Sequence, residues 1–281
     1  MTPTQPTDTL REWRETAQYW TKHSDTITQM FAPLTEAIIR ETGISEGDSV
    51  LDVAGGAGEP SLTIAERVGP TGSVTCTDAV AEMVDAARAE ASRRGITNVE
   101  FRQCTAESLP FADESFDVVV SRLGAMFFPD PLAACEEMLR VMKPGGRIAF
   151  VVWHKSELNP FCHIVSDAVA RHVPAPPADP DAPGAFRFAE LGKLASILTQ
   201  AGATDVIEQV LRFQMQAPIS AEQFWTMRSE TSESLRSKLA TLNESDQMEI
   251  GREVLESVRP FFPNDQMNFP TQMLIVTGRK P

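Results

Sequence analysis

Two carboxylates and a run of glycines stand at spacings suited to holding a small polar ligand. Asp52 lies inside the apolar run Val50-Leu51-Asp52-Val53, and Ala54-Gly55-Gly56-Ala57-Gly58 follows with almost no side chains. A loop this bare lets a ligand press against backbone amides, and glycine can take φ > 0 there. Pro60 and Ser61 then open a helix, with proline at a first-turn position where its missing N–H costs nothing. Asp78 comes twenty residues after Gly58, at the end of a second strand-like segment, Ser73 to Thr77. An acidic residue at that place accepts hydrogen bonds from both hydroxyls of a ribose. It also suits the N-cap of the next helix, and the two roles are compatible. The phosphate-cradling Gly-Lys-Ser/Thr ending is absent, and Ser61 occupies the third-glycine position of the dinucleotide fingerprint.

These residues need a parallel sheet to position them. Residues 50–53 form the first strand, buried on both faces, and 60–68 the first helix of the core. Residues 73–77 form the second strand and 98–103 the third. Between them lies a helix carrying Val80, Met83, Val84, Ala87 and Ala91 at helical spacing and ending at Gly95. A fourth strand through Val118-Val119-Val120 leads to Ser121-Arg122. Asp130-Pro131 opens a helix through Met142, Lys143-Pro144-Gly145-Gly146 is a turn, and 147–153 is the fifth strand. Strands alternating with helices imply an α/β, doubly wound sheet.

The register of these segments resembles the class I S-adenosylmethionine-dependent methyltransferases, particularly the ubiquinone/menaquinone-biosynthesis and natural-product small-molecule enzymes. Their first motif is hydrophobic-hydrophobic-Asp-x-Gly-x-Gly-x-Gly, and Ala54 stands where the first glycine is usual. Thr105-Ala106-Glu107-Ser108-Leu109-Pro110-Phe111 and Ser115-Phe116-Asp117 match a second family stretch, with Thr105 in place of the usual Asp. Leu139-Arg140-Val141-Met142-Lys143-Pro144-Gly145-Gly146 matches a third.

The resemblance implies a Rossmann-like sheet of seven strands with the last antiparallel, and S-adenosylmethionine as cofactor. Its expected contacts are Tyr19, Asp52, Ala54, Gly55, Gly56, Gly58, Asp78, Ala79, Met83, Thr105, Ala106, Glu107 and Ser121. Thr105 and Ala106 would read the adenine.

Beyond the core the pattern loosens. Residues 10–41 read as helix broken near Ser24-Asp25 and Pro33, with Trp13, Tyr19 and Trp20 gathered in it. They either pack on the core or cap the cofactor. Residues 174–183 are rich in proline and read as part of a lid. A helix is expected over 186–200, a strand over 204–216, a helical insertion over 219–258 and a last strand over 268–280. The organisation is therefore a helical cap at 1–45, a cofactor core at 46–153, a lid at 154–186, and a C-terminal part at 187–281 with a substrate-roof insertion at 218–264.

The reaction implied is in-line displacement at a sulfonium methyl, which asks mainly for alignment and a dry pocket. A base is needed only where the acceptor must lose a proton. Some relatives carry a His pair just past the fourth strand, but Met126 and Phe127 stand there. Among His23, His154, His163 and His172, His154 at the end of the fifth strand is the best placed. Arg122 either holds an anionic substrate group or pairs with a carboxylate. Trp20, Met126, Phe127, Trp153 and Phe161 suggest an apolar or aromatic small-molecule substrate.

Composition narrows the alternatives. A net charge of −14 without a basic cluster argues against nucleic acid. No apolar run approaches the ~20 residues of a membrane span, and the polar start does not resemble a secretory signal. Cys76, Cys104, Cys135 and Cys162 are scattered and read as reduced thiols of a cytoplasmic protein, with no metal site. Either a monomer or a homodimer is compatible. Three rivals remain at this point: a nicotinamide-dependent oxidoreductase, an RNA methyltransferase, and a cofactor-binding protein without turnover.

Overall fold

The computed structural model describes residues 6–173 and 179–281. Residues 1–5 of the cap and 174–178 of the lid lie outside the described residues. In chain order the helices are α1 (Pro6–Lys22), α2 (Ser24–Thr42), α3 (Ser61–Val68), α4 (Ala81–Arg94) and α5 (Pro131–Val141). They continue with α6 (Pro160–His172), α7 (Lys193–Gln200), α8 (Ala221–Thr231), α9 (Glu233–Ala240) and α10 (Glu244–Val258). The strands are β1 (Ser49–Val53), β2 (Ser73–Asp78), β3 (Val99–Gln103), β4 (Phe116–Arg122), β5 (Met142–Trp153), β6 (Thr204–Ala217) and β7 (Met267–Arg279).

These strands form one seven-stranded sheet in the order β3-β2-β1-β4-β5-β7-β6. The first five run parallel, and β7 lies antiparallel between β5 and β6. This is a Rossmann-like α/β fold. The order reverses between β1 and β4, where Asp52 pairs with Val120. Chains leaving these two strands diverge to opposite sides and open a crevice at their carboxyl ends. Val50, Leu51 and Val53 on β1 and Val118, Val119 and Val120 on β4 are buried, so the centre of the core lies directly beneath that crevice.

Local chemistry sets the boundaries. The Asp130 carboxylate caps α5 by accepting from the Leu132 and Ala133 amides at 3.1 and 3.0 Å. Both α2 and α4 end on left-handed glycines, Gly43 and Gly95. The N-terminal helices separate at His23, next to the expected break, but Pro33 lies inside α2 without breaking it. An interior proline costs about 3 kcal/mol. The same helix buries Ile27, Met30, Phe31, Leu34 and Ile38, each contributing roughly 1.5–3 kcal/mol, which outweighs that cost.

Two further expectations are corrected. Lys143-Pro144-Gly145-Gly146 does not separate helix from strand but bulges within β5, since Phe116 pairs with Met142 while Val118 pairs with Arg147. The bulge is held by the chain's end, where the Gly145 amide donates to the Lys280 carbonyl at 3.0 Å. The helix expected over 186–200 is shorter, covering Lys193–Gln200. Gly192 adopts φ 84° ahead of it, and its amide donates to Glu208 Oε2 at 2.6 Å, which fixes the start.

The late insertion folds as α8, α9 and α10. It packs on the N-terminal helices through α8 and α9 against α1, and on α6 through α10. Among the described residues no helix is long and apolar enough to cross a membrane.

Candidate cofactor site

At the end of β1 the chain turns through Ala54, whose φ of 60° is a conformation glycine normally supplies. Gly55 is fixed by crowding: a Cβ there would sit 2.7 Å from both Asp52 Oδ2 and Cys76 Sγ. Gly56, at φ 58°, meets the opposite situation. Nothing lies within 4 Å of the position its Cβ would take. The loop is thus tight against the sheet on one side and open on the other.

Asp52 is the anchor behind this loop. It is fully buried, and its Oδ2 accepts from Ser61 Oγ at 2.6 Å while Oδ1 has no partner. Burial pushes its carboxyl up to about 7, an effect moderated by the Ser61 hydrogen bond and the Arg122 charge. Asp78 holds the front. Its Oδ2 accepts from the Gly56 amide at 3.1 Å and its Oδ1 from the Val80 amide at 2.9 Å. Burial raises its carboxyl above the ordinary range, and those backbone hydrogen bonds oppose the rise.

A cavity of about 200 Å³ opens between this loop and the N-terminal helices. Its polar wall carries Ala54, Gly55, Gly56, Asp78, Ala79 and Met83, joined by Thr105, Ala106 and Glu107 from the segment after β3. The facing wall is apolar, with Leu10, Trp13 and Trp20 from α1, Phe31 from α2, and Phe127 and Phe128 beyond β4. The Trp13 ring meets Phe127 edge-on at 5.1 Å and lies 5.7 Å from Trp20. Trp20 Nε1 is buried without a hydrogen-bond partner.

Arg122 also borders the cavity, but its guanidinium is engaged on several sides. Nη1 donates to Thr35 Oγ1 at 2.8 Å, Nη2 donates to the Glu59 carbonyl at 3.0 Å, and the group lies 5.6 Å over the Phe31 ring. Burial lowers its pKa while Glu59 and Asp52 raise it. Arg122 thereby ties α2 to the loop that starts α3.

Several residues expected at the site lie elsewhere. Asp52, Gly58 and Ser121 sit behind the loop rather than on the cavity wall. Tyr19 packs its ring against Arg236, 5.3 Å from the guanidinium carbon. Met126 is buried in the core. Trp153 and Phe161 stack on each other at 6.0 Å in an aromatic cluster with Phe224 and Phe269. His154 is buried, with Nδ1 2.8 Å from the Ala189 carbonyl, and does not reach the cavity.

Phe31, Leu123 and Leu10 also line the cavity, though the sequence alone did not single them out. A signal was present: 10, 13, 17 and 20 on α1, and 24, 27, 28 and 31 on α2, form helical stripes. Among the described residues no cluster of three or more His, Cys, Asp or Glu side chains is placed to hold a metal ion.

The arrangement fits a nucleoside cofactor. An open face at Gly56, a two-oxygen acceptor at Asp78, and an adjacent polar turn at Thr105-Ala106 lie on one wall. Comparison with known proteins agrees. Residues 44–178 match a family model described as a methyltransferase domain. An uncharacterized protein of Mycobacterium tuberculosis is 41% identical over 125 residues, 44% of each chain. The ubiquinone/menaquinone biosynthesis C-methyltransferase of a Marinomonas strain is 34% identical over 138 residues, 49% of this chain and 55% of that one. The chain thus spans about half the length of the curated relatives it matches. The crystal structure of YcgJ from Bacillus subtilis shares the fold, with TM-score 0.54, 22% identity, and coverage of 88% of this chain and 97% of that one. Residues 44–178 are thus similar to the methyltransferase domains of the class I S-adenosylmethionine-dependent family.

Proposed function

We propose that this protein transfers a methyl group from S-adenosylmethionine to a small apolar or aromatic molecule. One observation carries the reading: the cavity pairs a polar wall at Gly56 and Asp78 with an aromatic wall at Trp13, Trp20, Phe31 and Phe127. The polar wall suits the cofactor, with Asp78 on the ribose, the glycine loop on the methionine part and Thr105-Ala106 on the adenine. Across the cavity, the aromatic wall suits the acceptor. In the reaction the acceptor's lone pair forms a bond to the methyl carbon, the C–S bond breaks, and its electron pair returns to sulfur, leaving S-adenosylhomocysteine. Alignment of this kind contributes on the order of 7–11 kcal/mol. Exclusion of water by α1 and α2 keeps the sulfonium from competing nucleophiles.

No histidine lines the cavity among the described residues, so no proton is routed through one. Against a dinucleotide stands Ser61, at the third-glycine position, whose hydroxyl is committed to buried Asp52. The test is incubation with methyl-labelled S-adenosylmethionine and a panel of small aromatic and alicyclic metabolites. Label transfer with matching S-adenosylhomocysteine is expected. Cofactor binding without turnover on any member would favour a binding protein, and stabilisation by NADH in place of S-adenosylmethionine an oxidoreductase.

A further inference from the structure

We propose that β6 is the docking edge for a second copy of this chain, and that two copies pair antiparallel about Val210, joining their sheets into one. The inference is independent of the methyl-transfer reading. β6 ends the strand order, with β7 on one side and no strand on the other among the described residues. Alternate residues of such a strand turn their N–H and C=O groups away from the sheet. Among the described residues, no loop or helix backbone hydrogen-bonds to β6.

Edges of this kind are usually blunted by proline, by lysine or by being short. The run Ile207-Glu208-Gln209-Val210-Leu211-Arg212-Phe213 has no proline and no lysine. It pairs residue for residue with β7, from Thr277 to Thr271, so it presents a regular ladder. Ile207 is a large apolar side chain left 53% exposed. Before it the edge turns irregular: the register shifts between Thr204 and Ile207, and Asp205 takes φ 50°.

The charges choose the register. Two copies of one strand pair about a two-fold axis, each presenting the same surface. Outward-facing residues must meet outward-facing residues, so the centre falls on a residue rather than between two. Glu208 and Arg212 share a face, about 13 Å apart along the strand, too far to pair within one chain. Glu208 Oε2 accepts from the Gly192 amide at 2.6 Å, while Oε1 has no partner. Arg212 is exposed and has no ionic partner among the described residues. Centring on Val210 sets Glu208 of each copy opposite Arg212 of the other, and exposed Ile207 opposite half-buried Phe213. A centre at Glu208 or Arg212 would oppose like charges. A centre at Gln209 or Leu211 would set both charges against uncharged residues. The pattern is self-complementary, and a second copy supplies it without further requirement. β5 and β7 stand between this edge and the crevice at β1 and β4, so both cavities stay clear of the interface.

The test is sedimentation equilibrium of the intact protein from micromolar to sub-millimolar concentration, with each variant first shown by circular dichroism to be folded. Wild type should dimerise. Arg212→Glu should raise the dimer dissociation constant ten-fold or more, because carboxylates then face each other at both ends of the pairing. An equimolar mixture of Arg212→Glu with Glu208→Arg should regain association, since in that pair every carboxylate at these positions meets a guanidinium. Ile207→Lys probes the same edge without touching the Gly192 contact, and should weaken the dimer by a similar factor. A monomeric wild type would overturn the proposal and leave the edge to a strand of another protein. A dimer undiminished by Arg212→Glu and Ile207→Lys, or a folded mixture that stays monomeric, would overturn it as well.

Discussion

Asp78 accepts the Gly56 amide on Oδ2 at 3.1 Å and the Val80 amide on Oδ1 at 2.9 Å, so one carboxylate ties the glycine loop to the turn before α4. Each carboxylate oxygen carries two lone pairs, and the backbone takes one of each. What remains faces the cavity, already oriented by the loop it organises. With the ribose on Asp78 as proposed, this one side chain would couple cofactor binding to the strand ends of β1 and β2.

Replacing that carboxylate tests the coupling. Asp78→Ala should weaken S-adenosylhomocysteine binding by roughly 1.5–3 kcal/mol, the usual loss for hydrogen bonds to a charged group. That corresponds to about ten- to 150-fold in Kd. A change under about twofold in calorimetry would leave Asp78 as a loop brace only.

Asp52 makes the apo protein's stability depend on pH. Its folded pKa of about 7 lies above the ordinary carboxyl value of 3.8, so the folded state holds a proton that the unfolded state releases between those values. Stability from this group is therefore fully present below the unfolded pKa and declines as pH rises through about 7. Asp52→Asn should flatten the slope of urea-unfolding free energy between pH 5 and 7.5, whatever its constant offset. An unchanged slope would mean that Asp52 ionises normally.

Arg122 should matter to folding before it matters to chemistry. Removing its guanidinium leaves Thr35 Oγ1 and the Glu59 carbonyl without their donor. Arg122→Met should lose about 3 kcal/mol in urea unfolding. Arg122→Lys should recover little of it, because one ammonium cannot reproduce the planar fork. Full stability in the methionine variant would remove Arg122 from its role between α2 and α3.

Trp20 carries a buried N–H that lacks an acceptor. Trp20→Phe should leave the apo protein as stable or up to about 1 kcal/mol more stable, since an unsatisfied donor is removed. Ligand affinity should nevertheless fall several-fold if bound cofactor or substrate supplies the acceptor. Loss of stability with unchanged affinity would make Trp20 a packing residue.

The parts legible in the sequence were those written in neighbouring residues. Ala54 to Gly58 and Asp78 declared a ligand loop and its acceptor because strand, turn and helix signals follow each other without interruption. The strand order beyond β5 came only through family resemblance, since composition does not say that β7 inserts between β5 and β6. Long-range partners were not legible at all. Thr35 meets Arg122 across 87 residues, and Arg228 meets Phe161 from a separate helix. His154 shows the same limit: its place at a strand end suggested reach into the crevice, but packing of the 186–192 turns gave it the Ala189 carbonyl instead.

The most direct measurement is calorimetric titration of S-adenosylhomocysteine into wild type, Gly56→Ala and Gly56→Val, each first shown by circular dichroism to be folded. The open space in front of Gly56 is the proposed seat of the cofactor. Wild type should bind one equivalent, Gly56→Ala more weakly, and Gly56→Val not measurably. Equal affinity across all three would contradict the assignment of this cavity to the cofactor.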